Sequence, residues 1–238
     1  MTTPAVEFGF VAALEREVSG LVRNWRVGNA GGTQRIYQSQ NAVLICAGTG
    51  VGKAYAAAQL LVENYSPRVL ISMGFAGACA PDLAPGAIFV PATLVEAATG
   101  KSYATAFGHG RLATMDRVAG KELKRCAFAR FGAQAVDMEA AGVAAVANES
   151  SSQFVAIKAI SDGTDEDIGF LSAFVEPEGF ATRRFVAHIA LRPALWPRVA
   201  ALQRNSRLAR AAMGNAVGEC ISNWQSFAAK HSSALTEV

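Results

Sequence analysis

Apolar runs of strand length alternate with segments of helical spacing along the first two thirds of the chain. Val6 to Ala13 is largely apolar and strand-sized. Leu14, Val18, Leu21 and Val22 then recur at helical spacing, so a strand is predicted to run into a helix over Leu14 to Asn24. Arg35 to Gly48 holds two strand-like runs around a polar break at Gln38 to Asn41, which predicts a hairpin whose second arm is the buried strand Ala42 to Ala47. A Gly-rich turn opens a helix over Val51 to Tyr65, with Ala54, Ala57, Ala58, Leu61 and Val62 on one face. Small side chains there predict close packing on a sheet. Further buried strands are predicted at Arg68 to Gly74, Gly86 to Val90, Gln134 to Met138 and Phe154 to Ser161, with an Ala-rich helix over Glu139 to Glu149. From about Gly179 the pattern changes to two or three helices.

Strands and helices in alternation define an α/β protein whose sheet is covered on both faces, with ligands expected beyond the carboxyl ends of its strands. No Pro/Gly/Ser linker and no fixed-period repeat divides the 238 residues. The chain 1–238 therefore reads as a single domain with a basic helical C-terminal region from about residue 179.

Composition removes several alternatives. With 51% apolar and 17% charged residues the chain is not disordered. No run approaches the roughly 18 consecutive apolar residues of a membrane span, and the start MTTPAVEFGF lacks a basic leader, so a cytoplasmic protein is expected. Cys46, Cys79, Cys126 and Cys220 form no C-x-x-C pair, and His109, His188 and His231 stand apart from them, so no zinc site is expected. The thiols read as reduced core residues. A net charge of +3 suggests no nucleic-acid partner.

The segment Ala47 to Ala54, AGTGVGKA, fails as a phosphate loop because Ala47 and Ala54 stand where Gly and Ser or Thr are required. It also misses the dinucleotide fingerprint, with Lys53 at the third Gly. What remains is a sharp strand-to-helix turn with free backbone N–H groups, serving either as a polar cradle or as a structural turn. Three carboxylates fall near strand ends: Glu17, Glu139 and Asp162. Each has an ordinary alternative, namely a solvated helix face, a favourable charge at a helix N-terminus, and a cap or turn residue.

Taken in order, GFVAALEREV, GTGVGKAYAA, LISMGFAGACAPDLAPGAIFVP, AVDMEAAGVAAVA and FVAIKAISD resemble the purine nucleoside phosphorylase and nucleosidase superfamily. Within it they are most similar to methylthioadenosine/S-adenosylhomocysteine nucleosidases and to hopanoid-associated phosphorylases. The resemblance spans about Glu7 to Asp167, and VDMEAAG followed by AISD is its most specific part. It implies a three-layer αβα fold with a mixed central sheet. It also implies that Met138 and Glu139 contact ribose, that Asp162, beside Ser161, faces N7 of the purine, and that Glu17 holds or deprotonates the attacking water. Breaking an N-ribosidic bond leaves an oxocarbenium-like sugar and a poorly departing base, so an acid at N7 and a carboxylate near the sugar suit the chemistry.

Departures from the pattern are Phe75, where many members have Ser, Lys158 in place of Arg, and Asp116, Arg117 and Val118 where an aromatic commonly stacks on the base. Hydrolysis of an adenine nucleoside is the expected reaction, without a cofactor. The alternatives are phosphorolysis of a purine nucleoside, hopanoid-linked adenosine included, with inorganic phosphate as co-substrate and Arg35 or Lys53 as sources of charge, and a non-catalytic nucleoside-binding or storage protein. A homo-oligomer, most simply a two-fold dimer, is implied, and the apolar face of Ala54 to Val62 suits a buried interface. Between Gly179 and Gly214, Arg183, Arg184, Arg192, Arg198, Arg204, Arg207 and Arg210 occur without any Asp or Glu. These predict helices packed on the sheet with a solvated basic face, or a surface for anionic lipid.

Overall fold

The central strand β5 (Val69–Ala78) changes neighbours midway along its length, and this change opens the site described below. The computed structural model describes residues 6–29, 34–176 and 179–232. The chain begins with β1 (Phe8–Ala12), the short α1 (Glu15–Val18), β2 (Arg26–Asn29), β3 (Arg35–Gln38), β4 (Ala42–Cys46) and α2 (Val51–Tyr65). After β5 come β6 (Ile88–Phe89), β7 (Thr93–Glu96), β8 (Ser102–Ala104), β9 (Arg111–Thr114), α3 (Lys121–Phe131), β10 (Ala135–Asp137), α4 (Ala140–Glu149) and β11 (Gln153–Asp162). A small pair, β12 (Val175–Glu176) and β13 (Gly179–Phe180), precedes α5 (Thr182–Ala190), α6 (Trp196–Ser222) and α7 (Trp224–Ser232).

The sheet is mixed and runs β2-β3-β4-β1-β5-β10-β9-β7-β8, with β11 paired to β5 and β6. Helices α2 and α4 cover one face, where Ala54, Ala57, Ala58 and Leu61 meet Val11, Val43, Ile45 and Leu70. On the other face Met213, Ala216, Val217 and Cys220 of α6 and Phe227 of α7 pack on Phe8, Phe10, Leu44, Val69 and Ile71. This is the expected single-domain αβα sandwich. Removing such apolar surface from water, at roughly 25 cal/mol per Å², drives its assembly.

Strand β11 takes one edge of β5 along nearly its whole length. On the opposite edge β5 pairs in parallel with β1 from Val69 to Met73, then antiparallel with β10 at Gly77 and Ala78. Gly74, Phe75 and Ala76 lie where β1 has ended and β10 has not begun. The divergence leaves room for a cavity.

Several expectations change in detail. The helix expected over Leu14 to Asn24 breaks into α1 and a 3-10 turn at Leu21–Asn24, because Ser19 and Gly20 are poor helix formers. The strand expected over Gly86 to Val90 shortens to β6 between Pro85 and Pro91, which lack the N–H a ladder needs. The small face of α2 packs inside the chain, where Ala54, Ala57, Ala58 and Leu61 are fully buried and Val62 is partly buried. Cys126 is exposed on α3 rather than in the core, whereas burial pushes the thiols of Cys46, Cys79 and Cys220 up to about 12. Among the described residues no helix is long and apolar enough to cross a membrane.

Candidate active site

A cavity of about 660 Å³ opens at the divergence of β1 and β10, within the range typical of small-molecule sites. Glu17, Phe75, Met138, Glu139, Ser161 and Asp162 all line it. Lys158 does not. It lies wholly buried behind the site, its ammonium 2.8 Å from Asp137 Oδ2 and donating to Ser72 Oγ at 2.9 Å.

Asp162 is brought to the cavity by an irregularity that no periodicity reveals. In the β5–β11 ladder Ile160 pairs with Ala76 and Asp162 with Gly77, so Ser161 is the extra residue of a bulge. Ser161 Oγ donates to Asp162 Oδ1 at 2.6 Å, and the Lys124 ammonium forms an ion pair with Asp162 Oδ2. Lys124 also donates to the carbonyls of Gly163 at 2.6 Å and Glu166 at 3.1 Å. Gly77 makes room for the pair: a Cβ there would stand 2.8 Å from Asp162 Oδ2 and 3.0 Å from Lys124 Cε. Burial raises the proton affinity of Asp162, and the Lys124 charge works against that rise.

Glu139 sits at the turn from β10 into α4. The first turn of α4 is served by Asp137, whose Oδ2 accepts the N–H of Glu139 at 3.3 Å and of Ala140 at 2.8 Å. Thr114 Oγ1 donates to Asp137 Oδ1 at 2.7 Å. Glu139 itself is thereby freed to cross to the Gly-rich turn before α2, where Gly50 N–H donates to its Oε1 at 3.1 Å. The turn of AGTGVGKA thus holds a protein carboxylate. Burial pushes the Glu139 carboxyl up to about 8, reinforced by the charge of Asp137 and opposed by Lys158.

Glu17 is not on a solvated face: α1 turns it inward to 6% exposure. Its Oε2 is buried with no hydrogen-bond partner in the protein and lies 3.2 Å from where a Cβ on Gly74 would stand. Gly74 has φ +151°, so both backbone and space favour Gly there. Burial raises the Glu17 carboxyl to about 7, against the lowering charges of Arg16 and Lys158.

Sequence reasoning missed Lys124, hidden between Lys121 and Arg125 on what reads as a solvated basic helix, and the capping role of Asp137. It also missed Phe185, which α5 brings to the cavity rim. Val118 lines the cavity, while Arg117 pairs with Asp116 at 2.9 Å on an exposed edge. The basic groups at the cavity are Arg16, Arg117, Arg207 and Arg210. Neither Arg35, which pairs with Glu15 at the surface, nor Lys53 lines it. Among the described residues no cluster of His, Cys, Asp or Glu is arranged to hold a metal ion.

A mixed sheet between helical layers, with carboxylates at one cavity beside its central strands, defines a protein of the nucleoside phosphorylase-like fold class. Solved structures agree in fold. The 5′-methylthioadenosine nucleosidase of Arabidopsis thaliana superposes with a TM-score of 0.70 at 17% identity, over 92% of this chain and 96% of that one. The 5′-methylthioadenosine/S-adenosylhomocysteine nucleosidase of Neisseria meningitidis, in complex with methylthio-immucillin-A, gives 0.69 at 17%, over 90% and 98%. Futalosine hydrolase of Helicobacter pylori gives 0.67 at 16%, over 90% and 98%. No curated protein matches the chain. The family model of the phosphorylase superfamily matches residues 7–128 and 92–188, and the chain belongs to that superfamily.

Proposed function

We propose that the protein cleaves the N-ribosidic bond of an adenine nucleoside by hydrolysis. The observation that carries this reading is the convergence of Glu17, Met138, Glu139 and Asp162 on one cavity. The solved neighbours named as nucleosidases support it through the shared fold. In this reading the base lies against Asp162 and Ser161, and the ribose lies against Met138 and Glu139. Water stands at Glu17.

The electrostatics suit the reaction. Glu17, Asp137 and Glu139 surround the Lys158 ammonium, so carboxyl groups stand close to a developing positive charge on the ribose, while Arg207 and Arg210 border the cavity from α6. With its carboxyl near 7, Glu17 is part carboxylate at neutral pH and can take a proton from water, as a general base does best close to its own titration. On the base side, Asp162 lies against the Lys124 ammonium, and burial raises its affinity for a proton. As the N-glycosidic bond breaks, a protonated Asp162 passes its proton to N7, and the carboxylate left behind pairs with the Lys124 ammonium until solvent re-protonates it after the base departs. No cofactor enters any of these steps. In the same reading the chain works as a homo-oligomer, most simply a dimer, which light scattering would measure.

The test is a panel of adenine and hypoxanthine nucleosides incubated with and without phosphate, scoring free base and sugar product. Adenine release without phosphate supports hydrolysis, and a sugar 1-phosphate would transfer the assignment to phosphorolysis. Binding without base release from any nucleoside would leave a storage protein.

A further inference from the structure

Helix α6 carries a polar face that the reaction above does not use. Gln203, Ser206, Arg207 and Arg210 all border the cavity. Their spacing of three, four and seven residues places them on one side of the helix. A helix face turned inward ordinarily carries apolar side chains, and Ala209, Met213 and Val217 do so where α6 meets the sheet. The side bordering the cavity begins with Val199 and Leu202 and ends in two cations, Arg207 exposed and Arg210 half-buried.

Neither Arg207 nor Arg210 forms an ion pair among the described residues. Helix α6 contains no Asp or Glu before Glu219. Arg210 Nε is buried without a hydrogen-bond partner. A buried N–H left without an acceptor costs free energy that water would otherwise have offset. Both arginines also border a second hollow together with Glu17, Gly20 and Leu21. A planar guanidinium with several fixed donors matches an oxyanion better than any other common ligand.

We infer that Arg207 and Arg210 form an oxyanion subsite on the sugar side of the cavity, which takes a carboxylate or phosphate group. The nucleoside reading enters only in saying what the oxyanion accompanies. It is either inorganic phosphate beside the sugar or an anionic group carried by the nucleoside at its 5′ end. Glu17 is compatible with such a neighbour, because with its carboxyl near 7 its neutral form, present beside the carboxylate at neutral pH, can donate to an oxyanion.

The test uses the full chain at constant ionic strength near pH 7, in two arms. In the first, inorganic phosphate is titrated into the unliganded protein and followed by calorimetry and thermal melting. In the second, binding of an adenosine 5′-carboxylate is compared with that of its neutral 5′-carboxamide in an Asp162→Asn background, where turnover does not interfere. The expected result is saturable phosphate binding, which identifies free phosphate, or a carboxylate preference of at least about tenfold, which identifies a substrate-borne group. In either case the effect disappears in Arg207→Gln/Arg210→Gln, falls partway in Arg210→Lys, and persists in Arg204→Gln, whose side chain does not line the cavity. Should the double variant not fold, Arg210→Lys decides. Absence of both effects in the parent, or effects that survive both Arg210 substitutions, would overturn the subsite. The phosphate arm reads binding alone, so failure of the nucleosidase reading does not affect it.

Discussion

The ammonium of Lys124 lies against Asp162 Oδ2 with both side chains 1% exposed, so the carboxyl assigned to the departing base is half of a buried ion pair. Breaking such a pair on one side costs about 3–5 kcal/mol, because the remaining charge stays buried and unmatched. Lys124→Met should therefore lower the melting temperature at neutral pH. The deficit should shrink as the pH falls and Asp162 becomes neutral. Removing the charge that opposes burial also raises the proton affinity of Asp162 further, so the alkaline limb of the pH–rate profile should move. Lys124→Arg, which keeps the charge, should restore stability in part. A purely structural lysine would change melting and leave the pH–rate limb where it was.

Space around that pair is equally constrained. A methyl group at Gly77 cannot stand 2.8 Å from Asp162 Oδ2, so Gly77→Ala must displace the carboxylate or the lysine. Overpacking of this kind costs about 1–3 kcal/mol. Base release should fall at least tenfold in a protein that still melts cooperatively, as activity assays run alongside calorimetry would read.

Glu17 and Glu139 make stability depend on pH in an unusual direction. Burial raises the first from 4.5 to about 7 and the second to about 8, so the folded chain binds these protons more tightly than the unfolded chain does. Their stabilising contribution is complete below about 4.5 and is lost as the pH rises through 7 to 8. Glu17→Gln, which cannot ionise, should thus melt higher than the parent at pH 8.5. The gain should be up to about 3 kcal/mol and should vanish near pH 4.5. Urea unfolding at the two pH values measures it, and an equal effect at both would contradict the burial of an ionisable Glu17.

Much of this architecture was legible because its signals are local. Val51 to Tyr65 shows its helix in the spacing of Ala54, Ala57, Ala58 and Leu61, and the buried strands show themselves as apolar runs. Glu17, Glu139 and Asp162 attract attention because each follows such a run. Other features depend on pairings between distant segments. The bulge at Ser161 exists only in the register of β11 against β5. Lys124 joins the site from a helix whose sequence neighbours are charged and solvated, and nothing within its own window marks it as buried. The place of Arg207 and Arg210 at the cavity was illegible for the same reason, since the stretch reads as a basic outer surface and Arg207 is indeed exposed.

The central claim is tested most directly by free adenine. Parent protein and Asp162→Asn are each incubated with an adenine nucleoside in phosphate-free buffer, and the released base is quantified over time. The account predicts adenine from the parent and a maximal rate lower by about two to four orders of magnitude in the variant, the usual contribution of a positioned general acid. No adenine from the parent with any nucleoside tried, or equal release from the two proteins, would contradict it.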